Sequence, residues 1–435
     1  MKYVLRLMGL LSLLLIVLVA FNILAPSYVP DFLDISSLLP STSYNQGDRQ
    51  ATRNRDSDGI VAPKDNKGQA TNSLIKRDGS QVSEDLLSLK YFRARLSEKD
   101  LRIYDTIYQA VEDGIDQLNI KDQGVDKDSL LNIFNLYRMD CPEHYWIDNI
   151  NIKYQGAGDI VTEIGFIYNS TLDNRDSYDK QIKEIVDRVK SYNIGSSDYD
   201  KVKYVHDFIV LNTSYDEGSS HNQNIVSVLI NKSSVCAGYA RATQYLLNKL
   251  GVECLYVQGV SRGEGHAWNK VKVNDAYYNL DSTWDDPMIS DSTDRIDFTS
   301  YTSYRYFLIT DDQLSKTHSQ DPPPSFDLPV CNSTSMNYFI KEGLVFNQFD
   351  SNAINTIVGK LSDQISRGRR PQFISFKFSN SQAYSSFMEQ IANNWYQIAS
   401  QINNRHGSEI INPNSVSHLS SASDENIADI VIIYR

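Results

Sequence analysis

Apolar residues recur at steps of three and four along much of the first half of the chain, which is the period of an amphipathic helix. This spacing predicts four helices before residue 213. The apolar positions that mark them are Tyr104, Ile107, Tyr108, Val111 and Ile115; Leu130, Phe134 and Tyr137; Tyr178, Ile182, Ile185 and Val189; and Val202, Val205 and Ile209. Between the second and third runs, the segments YWIDNINIKY (145–154) and IVTEIGFIY (160–168) are rich in β-branched and aromatic residues and indicate strands.

The second half of the chain opens with a further helical run and then changes character. After Tyr239 the apolar residues keep the helix period as far as Leu250, and Gly251 follows as a glycine just past a helix end would. Short segments typical of strands come next: VECLYVQGV (252–260), HAWNKVKV (266–273) and YYNLD (277–281). Beyond a proline run at 322–324, strands and helices alternate up to DIVIIYR (429–435). This order predicts an α+β fold, with the last part a compact α+β unit of its own.

The N-terminus carries an uncharged apolar run at residues 7–25, preceded by Lys2 and Arg6. At about 1.5 Å per residue, a helix of this length nearly spans a hydrocarbon core of about 30 Å. The preceding positive charges keep the N-terminus in the cytoplasm and export the remainder. Pro26 disfavours signal-peptide cleavage after Ala25. We therefore expect a single-pass protein of the cell membrane with an extracellular C-terminal portion; a cleaved signal peptide and a secreted protein are the alternative.

A polar stretch separates this apolar run from the periodic part of the chain. Residues 41–84 are mostly Ser, Asn, Asp, Gln, Gly and Lys, and they cannot bury enough apolar surface to fold. The predicted organisation has five parts: a membrane anchor at 1–30, a disordered linker at 31–88, an N-terminal α+β subdomain at 89–175, a catalytic domain at 176–330 and a C-terminal α+β domain at 331–435.

Composition narrows the classes of partner. The chain has 435 residues and a formal net charge of −12, which argues against nucleic acid because phosphate binding needs a basic surface. Four cysteines do not make a disulfide framework in a chain of this length, although one pair among Cys141, Cys254 and Cys331 stays open. The four cysteines and seven histidines show no paired metal-ligand spacing, so we expect no metal and no cofactor.

The remaining cysteine, Cys236, lies where nucleophilic chemistry is favoured. It stands at the predicted start of the helix that ends before Gly251, where unpaired N–H groups and the helix dipole favour an anion such as a thiolate. His266 enters a downstream strand and Asp281 leaves the strand after it. A cysteine nucleophile needs a base and a group that orients that base, and these residue types supply all three roles. A buried structural cysteine is the competing interpretation.

The motifs around these residues resemble the transglutaminase-like superfamily, and in particular its exported bacterial members. The resemblance is carried by VCAGYA, GHAWN and YYNLDSTWDDP, in this order and spacing, and is supported by DCPEHYWI, YVHDFIVLNTSYD and YRYFLITDDQLSKTHS. It covers residues 101–331. It implies a papain-like core, in which a helix carrying the cysteine packs on an antiparallel sheet carrying the histidine and aspartate, flanked by an N-terminal α/β subdomain and a C-terminal α+β domain.

The resemblance also implies roles and a reaction. Cys236 would be the nucleophile, His266 the base and Asp281 the residue that orients it. Acyl transfer from a protein glutamine through a Cys thioester is then the expected activity, on a protein or peptide substrate of the cell surface or envelope. A thiol peptidase or amidase with the same triad is one alternative, and a non-catalytic surface scaffold is another. No tryptophan precedes Cys236 as in the best-known transglutaminases, so only the Cys236 N–H is indicated as an oxyanion donor.

The strands that carry the histidine and aspartate predict a specific register. Asn274 and Asp275 suit a two-residue hairpin turn, which would pair Val273 with Ala276. His266 and Asp281 would then be diagonal neighbours on one face of the sheet. A three-residue turn would move Asp281 to the opposite face.

Three further positions have competing interpretations. His206 lies on a predicted helix and is expected to be a packing histidine rather than a ligand. The Asp285–Asp286 pair is expected to lie in a solvated loop rather than bind a cation. Trp268 is equally consistent with a wall of the substrate channel and with packing.

Overall fold

The computed structural model describes residues 87–192, 195–286, 302–323, 326–419 and 425–435. The predicted anchor at 1–30 and nearly all of the predicted linker at 31–88 lie outside these residues. Within the described ranges, every helix is too short or too polar to cross a lipid bilayer.

Helices and strands alternate throughout the described residues. The helices are α1 (Glu98–Glu112), α2 (Lys127–Asp140), α3 (Arg175–Ser191), α4 (Asp198–Asn212), α5 (Ile225–Leu229), α6 (Cys236–Lys249), α7 (Asp311–Leu314), α8 (Tyr338–Lys341), α9 (Ser351–Ser366), α10 (Ser381–Glu389) and α11 (Ile391–His406). The strands are β1 (Gln117–Asn119), β2 (Ile147–Gln155), β3 (Ile160–Tyr168), β4 (Ser214–Tyr215), β5 (Ser233–Ser234), β6 (Cys254–Ser261), β7 (Glu264–Val273), β8 (Ala276–Leu280), β9 (Phe307–Ile309), β10 (His318–Gln320), β11 (Val345–Phe346), β12 (Phe373–Phe378), β13 (Ser417–Leu419) and β14 (Ile427–Val431).

The strands form four sheets in the described part of the chain. Strands β1, β3 and β2 make an antiparallel sheet in that order, and β10, β6, β7, β8 and β9 make a five-stranded antiparallel sheet. Strands β4 and β5 form a short parallel pair. The C-terminal sheet has the order β11, β12, β14, β13, with β11 and β12 parallel. The fold is therefore a mixture of helices and mainly antiparallel sheet, as the sequence pattern predicted.

Two large clusters of buried apolar side chains hold these elements together. One runs from Leu87 to Leu308 and joins the apolar faces of the first helices to the inner faces of the first two sheets. The other lies between Phe339 and Ile432 and is built from α9, α11 and the C-terminal sheet. The first cluster includes the predicted helix positions such as Tyr104 and Val202, both fully buried. The boundaries of the five predicted parts remain predictions.

The helix α6 lies against β6 and β7 and begins at Cys236. Its end agrees with the sequence pattern, because Gly251 adopts φ +77° just past the C-cap Leu250. Glycine adopts this left-handed conformation without the steric cost that other residues incur. The packing of α6 on the five-stranded sheet places the cysteine beside the strand that carries His266.

Candidate active site

Cys236 is the first residue of α6 and is partly exposed to solvent. The N-cap residue is Val235, whose side chain makes no capping hydrogen bond. A helix N-terminus without a side-chain cap presents N–H groups and the positive end of the helix dipole to its surroundings. The first residue of this helix is consequently well placed to carry a negative charge.

The packing around the first turn of α6 requires a glycine at position 238. A Cβ atom at Gly238 would lie 2.0 Å from Ser234 Oγ and 2.8 Å from Ser227 Oγ. These two hydroxyls are 2.6 Å apart and share a hydrogen bond. Glycine therefore lets β5 and α5 approach the start of α6 closely, and this contact fixes the segment that leads into Cys236.

The hairpin of β7 and β8 has the predicted two-residue turn. Val273 pairs with Ala276, and Asn269 pairs with Leu280. Asn274, the first turn residue, has φ +54°, the positive φ that type I′ and type II′ hairpin turns share at this position. The prediction of this register is confirmed, and it places Asp281, one residue beyond β8, on the same face as His266.

The side chains of His266 and Asp281 meet as this register predicted. Nε2 of His266 donates a hydrogen bond of 2.7 Å to Oδ2 of Asp281. The Cys236 side chain lies close enough to this imidazole to raise its pKa. Since Nε2 is already engaged by the carboxylate, Nδ1 is the nitrogen available to the sulfur. The structure thus places the three sequence-predicted residues near one another, with a hydrogen bond between His266 and Asp281.

The environment of His266 favours its charged form. Burial alone would lower the pKa of this imidazole, but the Asp281 carboxylate and the Cys236 side chain outweigh burial and raise the pKa to about 10. A histidine is ordinarily half protonated near pH 6.5. The His266 ring is therefore an imidazolium at neutral pH, able to stabilise a neighbouring thiolate and to donate a proton.

The Asp281 carboxylate is almost fully buried, and both of its oxygens accept hydrogen bonds. Its Oδ1 accepts hydrogen bonds from the backbone N–H groups of Thr283 and Trp284, at 2.9 and 3.1 Å. Burial alone would raise its pKa, but the charge of His266 and the hydrogen bonds from His266 and His318 hold that pKa well below its usual range. The carboxylate is consequently a permanent anion that fixes the orientation of the imidazole.

A second histidine reaches the same oxygen, and sequence reasoning missed it. His318 Nε2 donates to Asp281 Oδ2 at 3.1 Å, while its Nδ1 is 2.8 Å from the Thr317 hydroxyl. The His318 side chain is completely buried. Its strand, β10, is three residues long and has no recognisable period. The available signal was the motif YRYFLITDDQLSKTHS, which contains this histidine.

The sheet order explains how His318 reaches the site. Strand β10 pairs with β6 on the edge away from β8, with His318 opposite Ser261. A Cβ atom at Gly259 would lie 2.1 Å from the Ser319 carbonyl oxygen and 2.7 Å from the Trp268 ring. Only glycine at this position allows β10 to pack so closely that its histidine contacts Asp281.

Aromatic rings surround the two histidines. Trp268 is buried, its ring is nearly parallel to that of His266 at 6.1 Å, and its Nε1 donates to Asn279 Oδ1 at 3.4 Å. Of its two interpretations, packing beneath the site is the one observed. Trp284 lies 4.7 Å from the His318 ring and carries the Arg262 guanidinium 4.4 Å above its own ring. These rings shield the imidazole–carboxylate contacts from water.

A buried ionic network supports the loop after Asp281. His206 is fully buried, with Nδ1 and Nε2 each 3.1 Å from a carboxylate oxygen, of Asp207 and Asp285 respectively. Burial lowers the pKa of His206, but the two carboxylates outweigh it and raise the pKa overall. The expectation of a packing histidine is confirmed. The expectation that Asp285 is solvated is wrong, because the Tyr306 N–H and His206 pair it in the interior.

The site also contains a set of residues able to bind a metal. His266, Asp281 and His318 each offer a ligand atom, and these atoms lie within 4.8 Å of one another. Imidazole nitrogens and a carboxylate suit zinc. The same atoms already form two hydrogen bonds with one another, however, so a metal ion would have to replace the protons that orient His266. The chain's own hydrogen bonds account for this cluster without a metal.

The other three cysteines have environments unlike that of Cys236. All four thiols are free, which excludes the disulfide pairing left open by the sequence. Burial raises the pKa of the Cys141, Cys254 and Cys331 thiols, that of Cys331 to about 12. These buried thiols are chemically inert at neutral pH, since the thiolate is the nucleophilic form.

Comparison with known proteins finds relatives for the region that contains this site. Residues 188–282 match the transglutaminase-like superfamily. Kyphoscoliosis peptidase of Mus musculus is 24% identical over 213 residues, which are 43% of this chain and 32% of that protein. The Homo sapiens protein of the same name is 22% identical over 219 residues, which are 45% of this chain and 32% of that protein. The matched region thus spans about a third of the length of these curated relatives.

A solved structure described as a TGase is 16% identical to this chain, covering 34% of it and 47% of that chain with a TM-score of 0.23. The match to the superfamily rests on the sequence of residues 188–282, which include Cys236, His266 and Asp281. The prediction from the motifs is confirmed for this region, which matches the transglutaminase-like superfamily.

Proposed function

We propose that this protein is a cysteine acyltransferase that forms a thioester between Cys236 and the acyl group of a protein glutamine. The observation that carries the proposal is the hydrogen bond between His266 and Asp281, with the Cys236 side chain beside the same imidazole. A thiol, a base within reach of it and a carboxylate that orients the base are the parts that nucleophilic catalysis requires. A papain-like arrangement of α6 on the five-stranded sheet belongs to the same proposal.

The first half-reaction uses the imidazolium as an acid. The Cys236 thiolate attacks the carboxamide carbon, and a C–S bond forms as the carbonyl oxygen becomes an oxyanion. The oxyanion collapses, the C–N bond breaks, and His266 gives its proton to the departing nitrogen, which leaves as ammonia. The products of this step are a thioester on Cys236 and a neutral imidazole still bonded to Asp281.

The second half-reaction reverses the roles. A primary amine, such as a lysine side chain, gives a proton to His266 as its nitrogen attacks the thioester carbon. The C–S bond then breaks, the acyl group leaves on the amine as an isopeptide, and the thiolate–imidazolium pair is restored. Water in place of the amine would give a carboxylic acid by the same steps.

Two groups are candidates for stabilising the oxyanion. The backbone N–H of Cys236 lies at a helix N-terminus, where donors point away from the helix. Tyr215 belongs to β4, which pairs with β5 two residues before Cys236. Burial and the neighbouring Cys236 raise the pKa of its hydroxyl, which keeps this hydroxyl protonated and able to donate.

Peptidase or amidase action is the second candidate function. It is favoured by the name of the curated relatives, which are called peptidases and share 22–24% identity with this chain. The catalytic residues would be unchanged, and a peptide bond would replace the glutamine carboxamide. The choice between the two functions depends on whether an amine or water reaches the thioester.

The product of the reaction distinguishes these functions. We expect the full chain, purified in detergent, to couple a fluorescent primary amine to a glutamine-rich protein and to release one ammonia for each amine coupled. Cys236→Ala should abolish both signals, because it removes the atom that carries the acyl group. Cys331→Ala is the matched control and should retain activity, since its thiol is buried against the Pro329 carbonyl and burial raises its pKa.

Other outcomes reassign the reaction. Ammonia without coupling indicates deamidation by water, and new N-termini in the substrate indicate a peptidase. The absence of all three signals across a panel of surface proteins, from a folded protein, would reject catalysis and favour a non-catalytic scaffold.

The cellular arrangement is also a proposal. The apolar run at 7–25 would anchor the chain, the linker at 31–88 would tether it, and the catalytic domain at 176–330 would act outside the membrane on surface or envelope proteins. The domains at 89–175 and 331–435 would flank it. Protease added to intact cells should then digest the linker and release the folded part. Protection of the linker until the cells are lysed would contradict this orientation.

A further inference from the structure

Residues 303–307 connect the triad to the C-terminal sheet. The segment leads into β9, where Phe307 pairs with Leu280 at the end of β8. Beside this pair, the Asp281 N–H donates a 3.2 Å hydrogen bond to the Tyr306 carbonyl oxygen. The backbone of the triad aspartate is therefore held directly by this segment, and a displacement of Tyr306 would move the carboxylate that orients the base.

Further hydrogen bonds join the segment to the loop after β8. The Tyr306 N–H donates to Asp285 Oδ1 at 3.0 Å, and the Ser303 N–H donates to the Asp285 carbonyl oxygen at 3.1 Å. The Asp285 N–H in turn donates to the Asp281 carbonyl oxygen at 3.2 Å. These contacts form a ring that includes both backbone groups of the triad aspartate, so the segment and the loop hold each other in position.

Two side chains of the same segment reach the C-terminal part of the protein. Arg305 donates to Asp429 on β14 and, at 2.6 Å, to Glu425. The Tyr304 ring stacks on Tyr338 of α8 at 3.8 Å and packs against both large apolar clusters. The segment is thus attached to the triad aspartate by its backbone and to the C-terminal elements by its side chains.

The ion pair with Asp429 is a firm attachment. This carboxylate is only 3% exposed and stands on β14, which lies between β12 and β13 in the sheet. Its neighbours Ala428 and Ile430 are buried in the second apolar cluster. A guanidinium holds its donors in a rigid planar fork, and its hydrogen bonds to carboxylates are stronger than those between neutral groups. The ion pair therefore fixes residues 303–307 relative to the sheet.

We propose that the C-terminal sheet positions the triad aspartate through Arg305. The ion pairs of this arginine hold residues 303–307 on the sheet, and the Tyr306 carbonyl oxygen fixes the backbone of Asp281. Arg305 is therefore a positioning residue, because it acts through Asp281 and not on the substrate. This role rests on the proposed reaction at Cys236, in which the C-terminal sheet then takes part.

Steady-state kinetics of the full chain with Arg305→Met test the proposal. In this variant kcat for amine coupling should fall about tenfold with KM unchanged, because a displaced base slows the chemistry and not the binding of substrate. Arg305→Lys keeps a charge that can reach one carboxylate and should recover part of the loss. The matched control is Arg367→Met, which removes an arginine from an exposed ion pair with Asp363 of α9 and should keep the wild-type kcat.

A double variant separates positioning from folding. Arg305→Met leaves the Asp429 carboxylate buried without the guanidinium, so its Tm should fall. Adding Asp429→Asn removes that charge and should return most of the lost Tm, but kcat should stay low because the link to the sheet is still absent. Recovery of kcat together with Tm would mean that Arg305 only stabilises the fold, and would overturn the proposal. A folded Arg305→Met variant with wild-type kcat would also overturn it.

Labelling of Cys236 keeps the test independent of the proposed reaction, since iodoacetamide needs no acyl substrate. A displaced Asp281 weakens the imidazolium beside the thiol, so Arg305→Met should be labelled at Cys236 about threefold more slowly than the wild type at about pH 6. If the wild type shows no turnover and this difference remains, the proposed reaction fails and the positioning role stands. Equal labelling rates in the two proteins would overturn the positioning role, whatever the turnover.

Discussion

Replacement of His266 by glutamine is expected to lower kcat/KM for the acyl substrate by about 10³-fold, in the middle of the range for losing a positioned acid–base group. Glutamine keeps a hydrogen bond to Asp281 but can neither hold a proton for the leaving group nor stabilise the Cys236 thiolate by charge. Wild-type activity should persist to alkaline pH and fall as pH rises through about 10, where the His266 imidazolium titrates. The variant should lack that alkaline limb.

Alkylation of the thiol measures the same interaction without a substrate. Iodoacetamide at about pH 6 should label wild-type Cys236 before the other three cysteines, because those three are buried and their thiol pKa values are raised. In His266→Gln the labelling rate at that pH should fall at least tenfold, since the imidazolium that would stabilise a thiolate at Cys236 is gone. Peptide mapping identifies the labelled cysteine.

The matched control is His418→Gln, which changes an exposed histidine of the C-terminal sheet. It should leave both turnover and labelling at wild-type values. Preferential labelling of Cys254 or Cys331, with Cys236 spared, would contradict a catalytic thiol. So would a His266→Gln variant that is folded and fully active.

The positions of the three candidate catalytic residues were predictable because their geometry is local. Helix period and Gly251 fixed the extent of α6 and hence the position of Cys236 at its start. The two-residue turn at Asn274 fixed which face Asp281 shares with His266, since side chains alternate along a strand. Each of these inferences needs only a few neighbouring residues and one simple rule.

Other parts of the site depend on contacts between distant segments. His318 reaches Asp281 because β10 adds to the sheet beside β6, an order that no local period encodes. Asp285 follows Asp281 in an acidic turn that looks solvated, but His206, 79 positions away, makes it part of the interior. Side chains alternate along β7, which places Trp268 on the same face of the sheet as His266. The Trp268 ring is nevertheless buried, because β10 and the loop after β8 cover that face.

Exchange of Asp281 for asparagine is expected to reduce kcat by about 10³- to 10⁴-fold, the effect of trapping the wrong imidazole tautomer in a triad. Asparagine has one carbonyl oxygen and an NH₂ group where the carboxylate has two acceptors. If the NH₂ faces His266, Nε2 must accept, and the ring proton moves to Nδ1, which faces Cys236. That imidazole cannot take a proton, and its pKa should fall from about 10 towards the ordinary 6.5 because the carboxylate charge is gone.

His318 should contribute through Asp281 rather than through the substrate. His318→Leu removes one of the two imidazole donors to Oδ2, and we expect kcat to fall about tenfold or more with KM unchanged. His318→Gln offers an N–H donor of similar reach and should recover most of that loss. Steady-state kinetics across pH, with Tm recorded for each variant, separates this positioning effect from a loss of folding.

The relative size of the effects of these substitutions tests the proposed arrangement of His266, Asp281 and His318. A carboxylate that orients the base predicts that Asp281→Asn is far more harmful than His318→Leu, and that only the former moves the alkaline limb of the pH profile by several units. A His318→Leu variant with wild-type kcat would remove His318 from the positioning network. An Asp281→Asn variant that keeps both its kcat and its alkaline limb would mean that the imidazolium is stabilised by groups other than Asp281, and the proposed triad would have to be abandoned.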